Sequence, residues 1–221
     1  MPTRVIAIGD IHGCAVAMRT LIQVIKPQLE DTLVILGDCV DRGPDSAQVI
    51  EQLLALREKC RLVPLLGNHE EMMLNFLCGL RQPDDWLQCG GAETLESYRD
   101  ENGEQQSISH AHEEFIRTWE DCFETATHFF AHGNYEADRP LSQQHWQTMR
   151  WQSLKFSIPE PHESGKIAIV GHTSQKSGEI LDVGHLVCID TFCWGGGWLT
   201  ALDASSGQVW QAARDGQLRH P

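Results

Sequence analysis

The chain has 221 residues, 41% hydrophobic and 22% charged, which is enough to build the core of one domain with no long polar tract. A formal net charge of −14 excludes the broad basic surface that non-specific nucleic-acid binding requires. It also sets a condition on any anionic substrate: positive charge must come from a few placed cations or from metal ions.

Residues 4–8 are apolar and β-branched and run into Gly9-Asp10-Ile11-His12-Gly13. Residues 15–25 predict a helix, because Met18, Leu21, Ile22 and Ile25 recur at three and four, and Pro27 marks its end. A second apolar run, 32–36, leads into Gly37-Asp38-Cys39-Val40-Asp41-Arg42-Gly43-Pro44. Asp45 or Ser46 is placed to cap the next helix, whose apolar side is Val49, Ile50, Leu53, Leu54 and Leu56. Arg61 opens a third strand that ends at Gly67-Asn68-His69-Glu70. Short, continuously apolar strands alternating with helices predict parallel pairing with both faces buried.

The middle of the chain differs. Residues 71–80 predict a helix, 86–95 a glycine turn into a short helix, 100–109 an exposed polar loop, and 112–121 a helix with Phe115, Ile116 and Trp119 on one side. Residues 78–122 therefore read as a helical insertion within a single domain spanning 1–221, too short to bury much alone. Strands return at 125–131, before His132-Gly133-Asn134, and at 166–170, before Gly171-His172-Thr173. The runs 185–190, 198–202 and 208–211 are spaced like a meander, with turns at Gly195-Gly196-Gly197 and Ser205-Ser206-Gly207.

Five strand ends thus carry Asp10 with His12, Asp38, Asn68 with His69, His132 and His172. Ligands bind at the carboxyl ends of strands in open α/β sheets. Carboxylates, imidazoles and one amide oxygen suit Mn²⁺, Fe or Zn²⁺, and their number exceeds the needs of one ion. A carboxylate between two ions fits a two-metal phosphoryl displacement, and the cations answer the charge problem. The eight cysteines contain no C-x-x-C pair, and no stretch near the start is long enough for a signal-peptide core or a membrane span. A cytoplasmic protein with reduced thiols is expected, with no membrane or nucleic-acid partner.

The three successive loops at Gly9, Gly37 and Gly67 resemble the signatures of the phosphoprotein phosphatase branch of the calcineurin-like metallophosphoesterases. Ala131-His132-Gly133 and Gly171-His172-Thr173 resemble that group's later histidine loops, and residues 86–98, with Gly-Gly-x-x-Thr-Leu, are similar to bacterial and phage-type members. The resemblance spans residues 4 to about 204 in order. It implies an α/β fold of four layers, α/β/β/α, with a central β-sandwich and a helical insertion. It implies one ion on Asp10, His12 and Asp38, and a second on Asp38, Asn68, His132 and His172, with Asp38 bridging and manganese the foremost candidate. His69, held by Asp41, would protonate the leaving alkoxide, and Arg42, with Asn68 beside it, would bind phosphoryl oxygens.

Two departures stand out. Relatives place a second phosphate-binding arginine just after a tryptophan, whereas here Arg150 precedes Trp151, so Arg150 would either bind the phosphoryl group from a shifted register or lie on the surface. Asp190-Thr191-Phe192 stands where relatives read Asp-Thr-Gly, so Phe192 would narrow the rim or pack the insertion. The resemblance implies a metal-dependent serine/threonine protein phosphatase acting on a phosphorylated protein or a small phosphoester. The alternatives are a symmetrical diadenosine tetraphosphatase and a non-catalytic metal-binding regulatory module. The tetraphosphatases tend to lack the carboxylate that this chain keeps at Asp41, which places the phosphatase first.

Overall fold

The computed structural model describes residues 3–80, 82–100 and 102–220; the expectations for Met1, Pro2 and Glu101 fall outside them. The first half lays down β1 (Val5–Ile8), α1 (Ala15–Ile25), β2 (Thr32–Ile35), α2 (Ser46–Leu56), β3 (Arg61–Pro64) and α3 (Asn68–Leu77). β1, β2 and β3 pair in parallel, as expected, but burial on both faces holds for β2 and not for the edge strand β3, where Arg61 is exposed. The insertion holds α4 (Pro83–Trp86), a wide helical turn over Leu87–Gly91, α5 (Ala92–Glu96) and α6 (His110–Arg117). The rest comprises β4 (Cys122–Glu124), β5 (His128–Ala131), α7 (Trp146–Trp151), β6 (Ile167–Val170), β7 (Leu181–Asp182), β8 (Leu186–Cys188), β9 (Trp198–Asp203) and β10 (Val209–Ala213).

Two five-stranded sheets result, in the orders β10-β9-β1-β2-β3 and β4-β5-β6-β8-β7. Side-chain alternation along the strands sorts the core into layers. Ala7, Val34 and Leu36 from the first sheet cluster with Phe130 and Ile169 from the second, forming the sandwich interior. Ile6, Ile8, Leu33 and Ile35 face the other way and meet Met18, Leu21, Val49, Ile50 and Leu53 of the helices. Phe129, Ala131, Ala168 and Val170 point out of the second sheet and are covered by Tyr135, Met149 and Leu154. This is the expected α/β/β/α arrangement.

The meander expectation holds only for its last two strands. β8 pairs in parallel with β6 in the second sheet, while β9 pairs antiparallel with β1 and β10 in the first. The chain crosses between sheets through residues 189–197, and equal strand spacing carries no record of that crossing. Capping differs too. Asp45 precedes α2 without a side-chain cap bond, and the Ser46 hydroxyl accepts the Asp41 N–H at 3.1 Å instead. All eight cysteines are free thiols, five of them buried. Among the described residues no helix is long and apolar enough to cross a membrane.

Candidate active site

Six parallel strands end on one edge of the sandwich. β1, β2 and β3 deliver Asp10, Asp38 and Asn68; β5, β6 and β8 deliver His132, His172 and Asp190. Most of these groups are buried: Asp10, His12, Asp38, Asn68, His69 and His132 are at most 7% exposed. Several of the loops bend through left-handed backbone at non-glycine residues, with φ of 44° at His12, 49° at Asp38, 72° at Asp41, 67° at Arg42 and 60° at His172.

Two clusters share Asp38: His12, Asp38 and His69, and Asp38, His132 and His172, each with ligand atoms within 4.8 Å of one another. The tautomers follow from backbone carbonyls, which can only accept. His132 Nδ1–H donates to Leu36 O at 2.7 Å, and His172 Nε2–H donates to Trp151 O at 3.1 Å. The remaining nitrogens, His132 Nε2 and His172 Nδ1, then face each other at 3.2 Å. Asn68 Oδ1 lies 3.2 Å and Asp38 Oδ1 3.3 Å from the same His132 Nε2. Acceptors converging with no donor between them require a proton or a cation. In the metal-free chain a proton serves. Burial opposes charge on His132, but Asp38, with Asp10 behind it, prevails and raises its pKa to about 10. Burial and the neighbouring His132 charge push His172 down to about 4. A divalent ion fits the same place, and these donors are the hard and borderline set that such ions prefer.

The other cluster is arranged differently. His12 Nδ1–H donates to Val40 O at 2.9 Å, and its Nε2 accepts from Arg42 Nη1 at 2.8 Å, with Asp38 Oδ2 at 3.5 Å. A cation taking that lone pair would release the guanidinium toward an anion. Asp10 stands behind the clusters, its two oxygens accepting the His172 backbone N–H at 3.0 and 3.1 Å. His69 Nδ1–H donates to Asp41 Oδ2 at 2.7 Å, and its Nε2 lies 3.9 Å from Asp38 Oδ2.

Arg150 is not brought to this centre. Its guanidinium is bound by Asp121 and by Glu71 at 3.2 Å and is stacked over Trp146. Arg150→Ala is expected to lower the melting temperature, at a cost of about 1–3 kcal/mol for a pair between the exposed and buried extremes, and to leave KM unchanged. A raised KM with an unchanged melting temperature would return Arg150 to substrate binding.

Glu70 is a residue whose role the sequence left blank. It is fully buried, and its carboxylate accepts the N–H groups of Asp38 at 2.9 Å, Cys39 at 2.7 Å and Gly67 at 3.0 Å. Burial, with Asp38 nearby, raises its pKa to about 7. A glutamate three residues past a helix-capping glycine was the available signal.

Strand ends from two sheets presenting carboxylates and imidazoles to a shared centre define a metallohydrolase-like α/β sandwich. The family model for calcineurin-like phosphoesterases matches residues 3–188, and the chain belongs to that family. A symmetrical bis(5'-nucleosyl)-tetraphosphatase of Janthinobacterium sp. (strain Marseille) is 42% identical over 80 residues, covering 35% of this chain and 28% of that protein. The namesake from Acidovorax sp. (strain JS42) is 44% identical over 78 residues, 34% of this chain and 27% of that protein. The matched segments thus span under a third of these curated relatives. Among solved structures, one provisionally assigned as a diadenosine tetraphosphatase superposes with a TM-score of 0.73 at 21% identity, over 95% of this chain and 93% of that one. A Saccharomyces cerevisiae protein serine/threonine phosphatase gives 0.65 at 16% identity, over 99% of this chain and 81% of that one. At such identities the superpositions establish the fold alone.

Proposed function

We propose that the chain is a metal-dependent phosphohydrolase of dinucleoside polyphosphates, cutting a diadenosine tetraphosphate-like substrate at its central anhydride. The observation that carries this reading beyond the relatives' names is a cavity of about 310 Å³ bounded by Arg42, Leu87, Gln88, Gly90, Glu93 and Trp194, opening beside the clusters. The Arg42 guanidinium lies 5.0 Å from the centre of the Trp194 ring, and the His12 ring stands edge-on to it at 6.2 Å. A nucleobase stacked on this cation–aromatic pair would set its phosphates toward the centre.

In this reading Asp10, His12, Asp38, Asn68, His132 and His172 would hold two ions, Asp38 being common to both groups. Such ions lower the pKa of a water and offset phosphoryl charge. Arg42 grips non-bridging oxygens as a planar fork. His69, tied through Nδ1 to Asp41, would present Nε2–H to a departing oxygen that needs a proton, such as an alkoxide.

The Asp41–His69 pair favours a second reading, a phosphomonoesterase of the serine/threonine phosphatase type that the sequence placed first. An alkoxide leaving group needs a proton, while a nucleoside diphosphate leaves without one. The test is a substrate panel with added Mn²⁺. Diadenosine tetraphosphate is expected to yield only ADP and to show a higher kcat/KM than phosphopeptides or p-nitrophenyl phosphate. The reverse order selects the second reading, and no turnover of any of them leaves the non-catalytic module. Trp194→Ala is expected to raise KM for the dinucleotide about 5- to 150-fold, the 1–3 kcal/mol of base stacking, and to spare p-nitrophenyl phosphate. Equal changes on both substrates would exclude a base at Trp194.

A further inference from the structure

The insertion over residues 78–122 reaches the reaction centre through a buried tryptophan and a buried threonine. Trp86 and Thr94 are both 0% exposed. Trp86 Nε1–H donates to Asp41 Oδ2 at 2.9 Å, on the same oxygen that accepts His69 Nδ1–H. Thr94 Oγ1–H donates to Asp41 Oδ1 at 2.7 Å. Thr94 Oγ1 also accepts the Asp41 backbone N–H at 2.8 Å and lies 3.0 Å from Ser46 Oγ. The threonine has a single hydroxyl proton, already given to the carboxylate, so Ser46 must be the donor in that last contact. Each proton in the network therefore has one place. Asp41 receives a donor from the insertion on each oxygen and is itself fully buried.

The backbone here needs that support. Asp41 and the adjacent Arg42 both sit in left-handed conformations, and Arg42 N–H donates to Gly90 O at 3.1 Å. Two adjacent glycines of the insertion, Gly90 and Gly91, make this docking feasible. A Cβ on Gly90 would overlap the Arg42 backbone, and one on Gly91 would overlap the Trp86 indole.

We infer that Trp86 and Thr94 are positioning residues: through the two oxygens of Asp41 they fix the His69 imidazole with Nδ1–H inward and Nε2 toward the reacting centre, making the helical insertion a clamp on the proton donor. This rests on His69 being the proton donor named above. Neither residue touches substrate. Removing either leaves Asp41 one donor short, so its carboxylate can rotate and carry the imidazole with it.

The test combines a spectroscopic and a kinetic readout on the full chain. The spectroscopic one is the downfield proton resonance of His69 Nδ1–H, assigned by its loss in His69→Gln. It should persist in Thr94→Ser, which keeps the hydroxyl, and broaden or vanish through exchange in Thr94→Val and Trp86→Phe. Backbone amide spectra identify any variant that misfolds, and the Thr94→Val and Thr94→Ser pair differs by so little volume that one of them keeps the comparison valid if Trp86→Phe collapses. Kinetically, Thr94→Val is expected to lower kcat on phenyl phosphate about 10- to 100-fold, the range for losing a partner that orients a site's ligands, with KM and metal content unchanged. The loss on p-nitrophenyl phosphate, a better leaving group, should be smaller, and Thr94→Ser should restore most of it. An unaltered His69 resonance in Thr94→Val and Trp86→Phe overturns the clamp, as does an equal loss on both esters. A wild-type enzyme inactive on monoesters would count against His69 as donor to alkoxides, while the resonance alone still decides the clamp.

Discussion

Asp38→Asn is expected to release both metal ions and abolish turnover. The Asp38 carboxylate belongs to both clusters, with Oδ1 3.3 Å from His132 Nε2 and Oδ2 3.5 Å from His12 Nε2. It is the charge between the imidazoles, and although burial opposes its ionisation, His132 and His69 hold its carboxyl well below the usual carboxylate range. An amide of the same shape removes that charge and turns an N–H₂ group toward one set of imidazole lone pairs. Metal analysis should fall from about two ions per chain to below one. Loss of several kcal/mol of charge stabilisation corresponds to a fall in kcat on the order of 10³-fold or more. Full occupancy in this variant would refute the bridging role. In the metal-free chain the same substitution should also lower the His132 pKa from about 10, because Asp38 is the main group raising it.

His69→Gln is expected to do the opposite with metal: the ions stay and the rate falls. The His69 backbone N–H still donates to Asp38 Oδ1 at 3.1 Å, so the loop between the clusters keeps its anchor. What disappears is a proton held by Asp41 on the buried side and presented at Nε2. General acid catalysis contributes about 10²–10⁴-fold, and that full range is expected for a phosphomonoester with an alkoxide leaving group. On a P–O–P anhydride the nucleoside diphosphate departs as a stable anion, and the loss should be far smaller. The ratio of the two effects reports which substrate class the site serves. An unchanged kcat on both would remove His69 from the chemistry.

The strand ends of the candidate site were legible because each is a contiguous phrase: an apolar run, then a polar side chain beside a glycine. Asp10, Asp38, Asn68, His132 and His172 needed only the inference that parallel strands end on one edge. The clamp was not legible, since Trp86 and Thr94 lie 45 and 53 residues from Asp41 and nothing local marks a tryptophan as a donor to a remote carboxylate. The Gly-Gly-x-x-Thr-Leu likeness gave their place without their partner. The switch between sheets after β8 was hidden for a related reason: an apolar strand reads alike whichever sheet it joins. Arg150 illustrates the limit for charged groups. Its order relative to Trp151 says nothing of the guanidinium's direction, which Glu71 and Asp121 decide.

The left-handed residues have a consequence for engineering. Apart from Lys26, the non-glycine residues with positive φ among those described are His12, Asp38, Asp41, Arg42, His172 and Phe192, all at the centre or its rim. Each such conformation costs about 1–3 kcal/mol, and glycine would relieve it. A selection for heat resistance alone would therefore favour glycine at these positions, and the survivors would be sturdier and inactive. In this fold thermostability and turnover compete for the same few residues, so screens for robust variants must carry an activity filter from the first round.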